Sequence, residues 1–181
     1  MRLLTLLAAV AALTTGAAAA DLSAPKPAPA PVEDAAPARS WTGCYSGLAG
    51  GIVAAGLNVE QAAVDLGCDY QINSRIVVGG LARYGHTFSP ESDRVEIMAR
   101  AGLLLNPALM VYATGGGMTS IGHGSSGDWY GMAGAGLETY VAPRLTLYVE
   151  ADRYFETGAE ATSVLAGVRY RFGSGSTIFG Q

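Results

Sequence analysis

A chain of 181 residues is long enough for one domain, and its composition limits what that domain does. Half of the residues are hydrophobic, only 14% are charged, and glycine, with 25 residues, is about twice as frequent as its roughly 7% average usage. The net charge of −4 and the lack of any run of Lys or Arg argue against a nucleic-acid partner.

Residues 1–20 have the pattern of a secretory signal peptide. A cationic start, Met1-Arg2, precedes the apolar run LLTLLAAVAALTT, and the following AAAA offers a small-residue cleavage site before Asp21. A membrane-anchored helix is the alternative interpretation, but the apolar run is shorter than the ~20 residues that a spanning helix needs. We therefore predict cleavage after Ala20, export, and a mature protein without a transmembrane helix.

Residues 21–40 are predicted to be an extended periplasmic linker. This segment, DLSAPKPAPAPVEDAAPARS, holds five of the eight prolines and is rich in alanine. Such a composition buries too little apolar surface to offset the entropy of ordering the chain.

From Trp41 onward, apolar residues alternate with small or polar ones, which is the period of a β-strand. Tight turns and longer loops rich in Gly, Ser, Asp and Glu alternate between the segments, as in outer-membrane barrels. We predict an all-β fold, an eight-stranded antiparallel up-and-down transmembrane β-barrel over residues 41–173, with a C-terminal tail over 174–181. The predicted strands lie at about 41–53, 61–71, 75–85, 94–105, 108–118, 129–140, 144–155 and 162–173. The longer loops are expected near 54–60, 86–93, 119–128 and 156–161.

The row of residues opposite the apolar row mixes glycine with isolated charges and tyrosines, which suits a narrow lumen filled by a few large side chains. One interpretation is an ion-selective channel, and the other is a plug of paired charges. We favour the plug, because an unpaired buried charge is costly and an eight-stranded barrel has little room for water. The predicted lumen charges are Asp69, Arg83, Arg94, Glu96, Arg100, Glu138, Glu150, Asp152, Arg169 and Arg171. The expected core of the network is Arg100, Glu138, Glu150, Arg169 and Arg171.

Cys44 and Cys68 are the only cysteines, and both fall on the outward, apolar row of adjacent predicted strands. If the first hairpin is centred near Gly56, residues whose numbers sum to about 112 are opposite each other, and these two cysteines are such a pair. Export permits oxidation, so we predict a disulfide. The alternative is two small lipid-facing residues that never bond.

Several stretches, taken in order, resemble a known family: WTGCYSGLAGG, DLGCDYQINSRIVVGG, ARAGLLLNPALMVYATGGGM, GAGLETYVAPRLTLYVEADRY and GVRYRFG. They resemble the small eight-stranded outer-membrane surface antigens of alphaproteobacteria, which are RopB-like and belong to the opacity-protein and OmpA-type barrel group of the porin family. The resemblance implies a structural, porin-like role in the cell outer membrane, without turnover, cofactor or metal.

The resemblance also implies partners. These are outer-membrane lipid, lipopolysaccharide, and the barrel-assembly machinery, which recognises a terminal strand ending in an aromatic residue such as Phe172. The loops carry no recognisable ligand motif. The chain departs from the family in continuing beyond Phe172 and in having cysteines at positions 44 and 68.

Two other functions remain open from the sequence. His123 and Ser125 in SIGHGSSGDW form a His-x-Ser pattern that also occurs in eight-stranded lipid A deacylases, with Asp128 available to orient the histidine. This stretch lies in a Gly/Ser-rich loop, a composition that flexibility alone explains. The second alternative is a soluble periplasmic, lipocalin-like barrel with its apolar row inside.

A few residues near predicted strand ends carry smaller expectations. Arg153 falls on the lipid-facing row, where it either extends to the headgroups or is turned inward by a bulge. His86 is predicted to be a loop residue without a partner. Trp41, Trp129 and Tyr130 are predicted to form part of an interfacial aromatic girdle, or to be ordinary hydrophobic anchors.

Overall fold

The computed structural model describes residues 40–54, 58–122, 127–156 and 159–173. Each strand pairs in antiparallel fashion with its neighbours in the chain, and the last pairs with the first, so the sheet closes into an up-and-down barrel. The predicted eight-stranded fold is confirmed. The strands are β1 (Gly43–Ala54), β2 (Asn58–Gln71), β3 (Ile76–Phe88), β4 (Glu91–Asn106), β5 (Leu109–Ile121), β6 (Trp129–Ala142), β7 (Leu145–Glu156) and β8 (Ala159–Phe172). Among these described residues, no helix is long and apolar enough to cross a membrane.

The alternation along each strand decides which side chains fill the lumen. On β4, the side chains of Glu96, Met98 and Arg100 are buried, whereas the intervening Ile97 and Ala99 are exposed on the outer wall. A period of two places successive side chains on opposite faces of the sheet. The barrel interior therefore holds the charged side chains together with apolar ones such as Met98, and the exterior is apolar.

The connections differ from the prediction at one end of the barrel. We expected longer loops near 86–93 and 156–161, but β3 reaches Phe88 before β4 begins at Glu91, and only 157–158 separate β7 from β8. The polar residues that suggested a loop continue the ladder instead, with Thr87 opposite Ser92 and Phe88 opposite Glu91. The connection between β5 and β6 is the long one at this end, which we call the loop end.

At the opposite end, called the terminal end because β1 begins and β8 finishes there, the connections are short, as predicted. Two of them are closed by asparagine side chains. Asn73 Oδ1 accepts hydrogen bonds from the backbone N–H groups of Arg75 (2.8 Å) and Ile76 (2.9 Å). Asn106 Oδ1 bonds the N–H groups of Ala108 and Leu109 in the same way. These side chains take the place of backbone partners in a tight turn.

Arg153 stays on the outer wall. The pairing of β7 with both neighbours runs through this residue without a register shift, and its side chain is exposed. The alternative of an inward-turning bulge is therefore wrong.

The β1–β2 register places Cys44 directly opposite Cys68, with their Cα atoms 3.9 Å apart, and a disulfide joins them. The predicted register of the first hairpin is confirmed. The bond lies on the outer wall near the terminal end and connects the closing strand β1 to β2.

Glycines on the inward rows leave space for the large side chains of the lumen. A Cβ atom at Gly136 would lie 2.6 Å from the Tyr112 hydroxyl and 2.6 Å from the Val149 carbonyl oxygen. A Cβ at Gly67 would lie 2.5 Å from the Tyr45 hydroxyl. Real Cβ atoms do not approach so closely, so tyrosine and glycine on neighbouring strands depend on each other.

We predict that Gly136→Val destabilises the folded barrel by about 3 kcal/mol, because the new side chain overpacks the lumen against Tyr112 and a backbone oxygen. The matched control is Gly115→Val, because a Cβ at Gly115 on the outer wall has no neighbour nearer than 4.0 Å. Urea unfolding of both refolded variants in detergent micelles measures the difference. Equal midpoints for the two variants would contradict the steric explanation.

Candidate functional site: the charged lumen

Within the described residues, the lumen buries six carboxylates and five arginines. All ten charged residues that the sequence placed there are buried, including the five expected to form the core. The sequence analysis missed Asp65, which is fully buried on β2. The sequence carried the information needed to predict it, because Asp65 and Asp69 are four residues apart on one strand and therefore face the same side of the sheet. The eleven residues are Asp65, Asp69, Arg83, Arg94, Glu96, Arg100, Glu138, Glu150, Asp152, Arg169 and Arg171.

Arg83, from β3, is bonded to four carboxylates. Its Nε donates to Asp65 (2.8 Å), its Nη2 to Glu150 (2.7 Å), and its Nη1 to both Asp152 (3.0 Å) and Glu96 (3.3 Å). Two of these partners lie on β7, across the lumen from β3. Only the planar guanidinium, with five donors, can hold so many acceptors at once.

Arg169, from β8, forms a second centre next to the first. Its Nη2 donates to Asp65 (2.8 Å) and its Nη1 to Glu138 (2.8 Å), and its guanidinium lies 3.5 Å from the centre of the Tyr148 ring. Glu138 also accepts from Arg100 (2.5 Å) and Arg171 (3.2 Å). Asp65 and Glu138 thus join neighbouring arginines into one network.

Tyrosine hydroxyls donate further hydrogen bonds to the carboxylates, in two cases to an oxygen that also accepts from an arginine. Tyr112 donates to Glu150 (2.7 Å), Tyr148 to Asp65 (2.7 Å), and Tyr154 to Glu96 (2.8 Å). Among the buried side-chain atoms of the described residues, only Asp69 Oδ1 and Arg100 Nε have no hydrogen-bond partner. The lumen is therefore packed by mutually paired groups, as burial of charge requires.

Trp41 closes the terminal end of the lumen and is not part of an aromatic girdle, so that expectation is wrong for it. Its side chain is fully buried, with its ring centre 4.7 Å from that of Tyr140. The indole Nε1 donates to the Pro107 carbonyl (3.2 Å), and the Trp41 carbonyl accepts from Arg171 (2.6 Å). Trp129 is 57% exposed on the outer wall, as a girdle residue would be. Tyr130 is half-buried and packs against a cluster of apolar side chains inside the barrel that includes Met118 and Met132.

The outer wall is apolar between two groups of exposed aromatic residues. Near the loop end these are Tyr84, Phe88, Trp129 and Phe155, and near the terminal end they are Tyr70, Tyr170 and Phe172. Large aliphatic side chains on the strands between them remain exposed, such as Leu48 (61%), Leu66 (59%) and Ile97 (56%).

Of the residues suggested for catalysis, His123 and Ser125 lie outside the described residues, and Asp128 is exposed just before β6. His86 differs from its prediction as a loop residue, because it lies within β3 and its Nδ1 is 2.7 Å from Asp93 Oδ1. In the described part of the chain, no group of three His, Cys, Asp or Glu side chains is arranged to hold a metal ion.

Comparison with known proteins gives the same fold class. No protein-family model matches the chain, and no curated protein matches it. A de novo designed transmembrane β-barrel is 18% identical, with a TM-score of 0.53 over 72% of this chain and 96% of its own. Ail, the attachment invasion locus protein of Yersinia pestis, is 17% identical (TM-score 0.51, 72% and 97%). The outer-membrane enzyme PagL is 14% identical (TM-score 0.52, 70% and 99%). At these identities the similarity shows the fold alone.

We predict that Arg83→Met lowers the free energy of unfolding by about 3–5 kcal/mol, because it leaves four buried carboxylates without their shared cation. The control is Arg75→Met, which removes an exposed arginine in the β2–β3 turn. Urea midpoints of the two refolded variants are compared at one pH. A loss for Arg83→Met no larger than that of the control would contradict a network centred on Arg83.

A second prediction concerns Cys44 and Cys68 in protein purified from its native cells. We expect no thiol to react with an alkylating reagent under denaturing, non-reducing conditions, because the two sulfurs are bonded. After reduction, mass spectrometry should find two alkylated cysteines. Alkylation of both cysteines without reduction would contradict the disulfide, and the variant Cys44→Ser, with one free thiol, calibrates the labelling.

Proposed function

We propose that this chain is a structural β-barrel protein of the Gram-negative outer membrane, of the surface-antigen and porin-like type, which acts without turnover. The observation that carries the proposal is the reversed polarity of the barrel. Charged side chains are buried inside, and large aliphatic and aromatic side chains are exposed around the outside.

This polarity fits a lipid environment and not water. A soluble monomer rarely exposes a continuous apolar surface of this extent, because such a surface promotes association. In a bilayer the same surface contacts acyl chains, and a closed sheet leaves no backbone group unpaired in the hydrocarbon. Aromatic residues at both ends of an apolar band are the usual arrangement in barrels that cross the outer membrane.

The packed lumen favours a structural role over conduction. Ions entering the barrel would have to displace the arginine, carboxylate and tyrosine groups bonded around Arg83 and Arg169. Each displaced group would lose a charge-assisted hydrogen bond in a space too narrow for water to replace it. The protein would therefore act through its presence in the membrane and through its surface.

The alternatives have less support. A lipocalin-like barrel needs an apolar inner row, and Glu96, Arg100 and Glu150 occupy that row here, so this alternative is wrong. A lipid A-modifying hydrolase that uses His123 and Ser125 rests on residues outside the described part of the chain. PagL shares the fold, but an identity of 14% does not support assigning its enzymatic activity to this chain.

Finer assignments rest on sequence features. The signal-peptide pattern of residues 1–20 supports export, and the ordered motifs support a relationship to the alphaproteobacterial surface antigens. Phe172, exposed at the end of β8, is suited to recognition by the barrel-assembly machinery. Lipid and lipopolysaccharide are the proposed partners of the outer wall.

Cell fractionation with gel electrophoresis tests the proposal. We expect the protein to leave the envelope only with detergent and to migrate differently before and after boiling, because folded outer-membrane barrels resist denaturation by the gel detergent. In planar bilayers the purified protein should give flat current traces. Recovery in a detergent-free periplasmic extract would refute the membrane location. Steady conductance that disappears in Glu150→Ala would refute the sealed lumen.

A further inference from the structure

The outer wall has a hollow across β7, β8 and β1. It has a volume of about 520 Å³, and Gly50 and Ala166, directly opposite each other, form its floor. Leu48 and Val168 on one side and Val149 at the far end stand above this floor. A Cβ atom at Gly50 would meet nothing nearer than 3.8 Å, so the space above this glycine is open.

The same row of outward residues leads from the hollow to a polar cluster. Gly50 lies opposite Ala62 on β2, and Ala62 lies opposite His86 on β3. His86 in turn lies opposite Asp93 on β4. We call this outward row, which runs from Val149 through Ala166, Gly50 and Ala62 to His86, the trough.

The trough descends from the rim of the barrel towards its middle. His86 lies near the loop end, close to the final residue of β3, Phe88, whereas Ala166 lies near the middle of β8 (Ala159–Phe172). Neighbouring strands are about 4.8 Å apart, so the three steps from Ala166 to His86 span roughly 14 Å. This is the length of an acyl chain of about a dozen carbons that enters the bilayer from its surface.

The polar end of the trough carries a hydrogen-bond acceptor on His86. Asp93 Oδ1 lies 2.7 Å from His86 Nδ1 and accepts a hydrogen bond from the Tyr84 hydroxyl, also at 2.7 Å. A carboxylate only accepts, so the proton of a neutral His86 resides on Nδ1, and Nε2 presents its lone pair. The His86 side chain is 34% exposed, and the Phe88 ring packs edge-on against it at 4.9 Å.

We propose that this trough binds one acyl chain of an outer-leaflet lipid, and that the chain carries a hydroxyl near its polar end which donates to His86 Nε2. The apolar floor matches the chain, and the acceptor at the rim matches the hydroxyl. A plain acyl chain has no hydroxyl to donate to that nitrogen. The inference rests on the proposed membrane location, because the trough needs acyl chains around it.

Two neutral ligands of equal length test the hydroxyl. The folded protein is placed in nanodiscs of dimyristoylphosphatidylcholine, and methyl 3-hydroxytetradecanoate or methyl tetradecanoate is added while backbone amide resonances are recorded. We expect the hydroxylated ester to shift the amides of Gly50, Ala62 and His86 at about a fivefold lower concentration, the effect of one net hydrogen bond. Amides around Gly115, on the opposite wall, should not respond.

Two variants separate the trough from the acceptor. Gly50→Leu fills the floor and should abolish the shift at Ala62, whereas Gly115→Leu, at an outward glycine that also has open space, should not. His86→Phe keeps a ring but removes the acceptor. In this variant both esters should still shift the amide resonances, and they should do so at the same concentration.

The outcomes are distinct from those of the proposed function. A protein that does not enter the nanodisc as a folded barrel refutes the membrane location itself. If the barrel is folded in the nanodisc, equal midpoints for the two esters refute the hydroxyl acceptor. Shifts distributed evenly around the barrel, or unchanged binding in Gly50→Leu, refute the trough.

Discussion

Buried charge in a narrow barrel is the constraint on which the other features depend. Eight strands enclose a space just wide enough for side chains, so an ionised group inside can be stabilised only by other side chains. Arg83 and Arg169 meet this requirement by sharing Asp65. Tyrosine hydroxyls donate further hydrogen bonds to the buried carboxylates, as Tyr112 does to Glu150. These long side chains need room, which explains why glycines such as Gly136 face them across the strand ladder.

The same constraint determines the outer wall. Because side chains alternate across the sheet, a charged residue that points inward places the residues before and after it in the sequence on the outer wall. Glu96 and Arg100 point inward on β4, so Ile97 and Ala99 must point outward. The polar lumen and the apolar wall are therefore one pattern and not two separate adaptations. A barrel with this sequence cannot exchange its inner and outer rows without shifting every strand by one residue.

Parity explains what could be predicted from the sequence and what could not. The strands and the ten buried charges follow from a period of two, because each depends on neighbours along one strand. Asp65 and Glu96 lie directly opposite Arg83 on the neighbouring strands. Glu150 and Asp152 could not be predicted as its partners, because they reach it across the lumen from β7. Trp41 precedes β1, and its complete burial depends on packing against Tyr140, which is distant in sequence.

The errors at residues 86–93 have a physical cause that bears on the outer surface. His86 and Asp93 are polar and near Ser89-Pro90, so their composition suggests a loop, yet they remain paired in the sheet. Strands that extend to the edge of the apolar band can expose polar side chains outward, where lipid headgroups replace hydrocarbon. In the proposed membrane location, that level tolerates a hydrogen-bonded His86–Asp93 pair on the outer wall, whereas deeper in the membrane the pair would be too costly. The rim of such a barrel is therefore the part of its wall where polar recognition of lipid is physically possible.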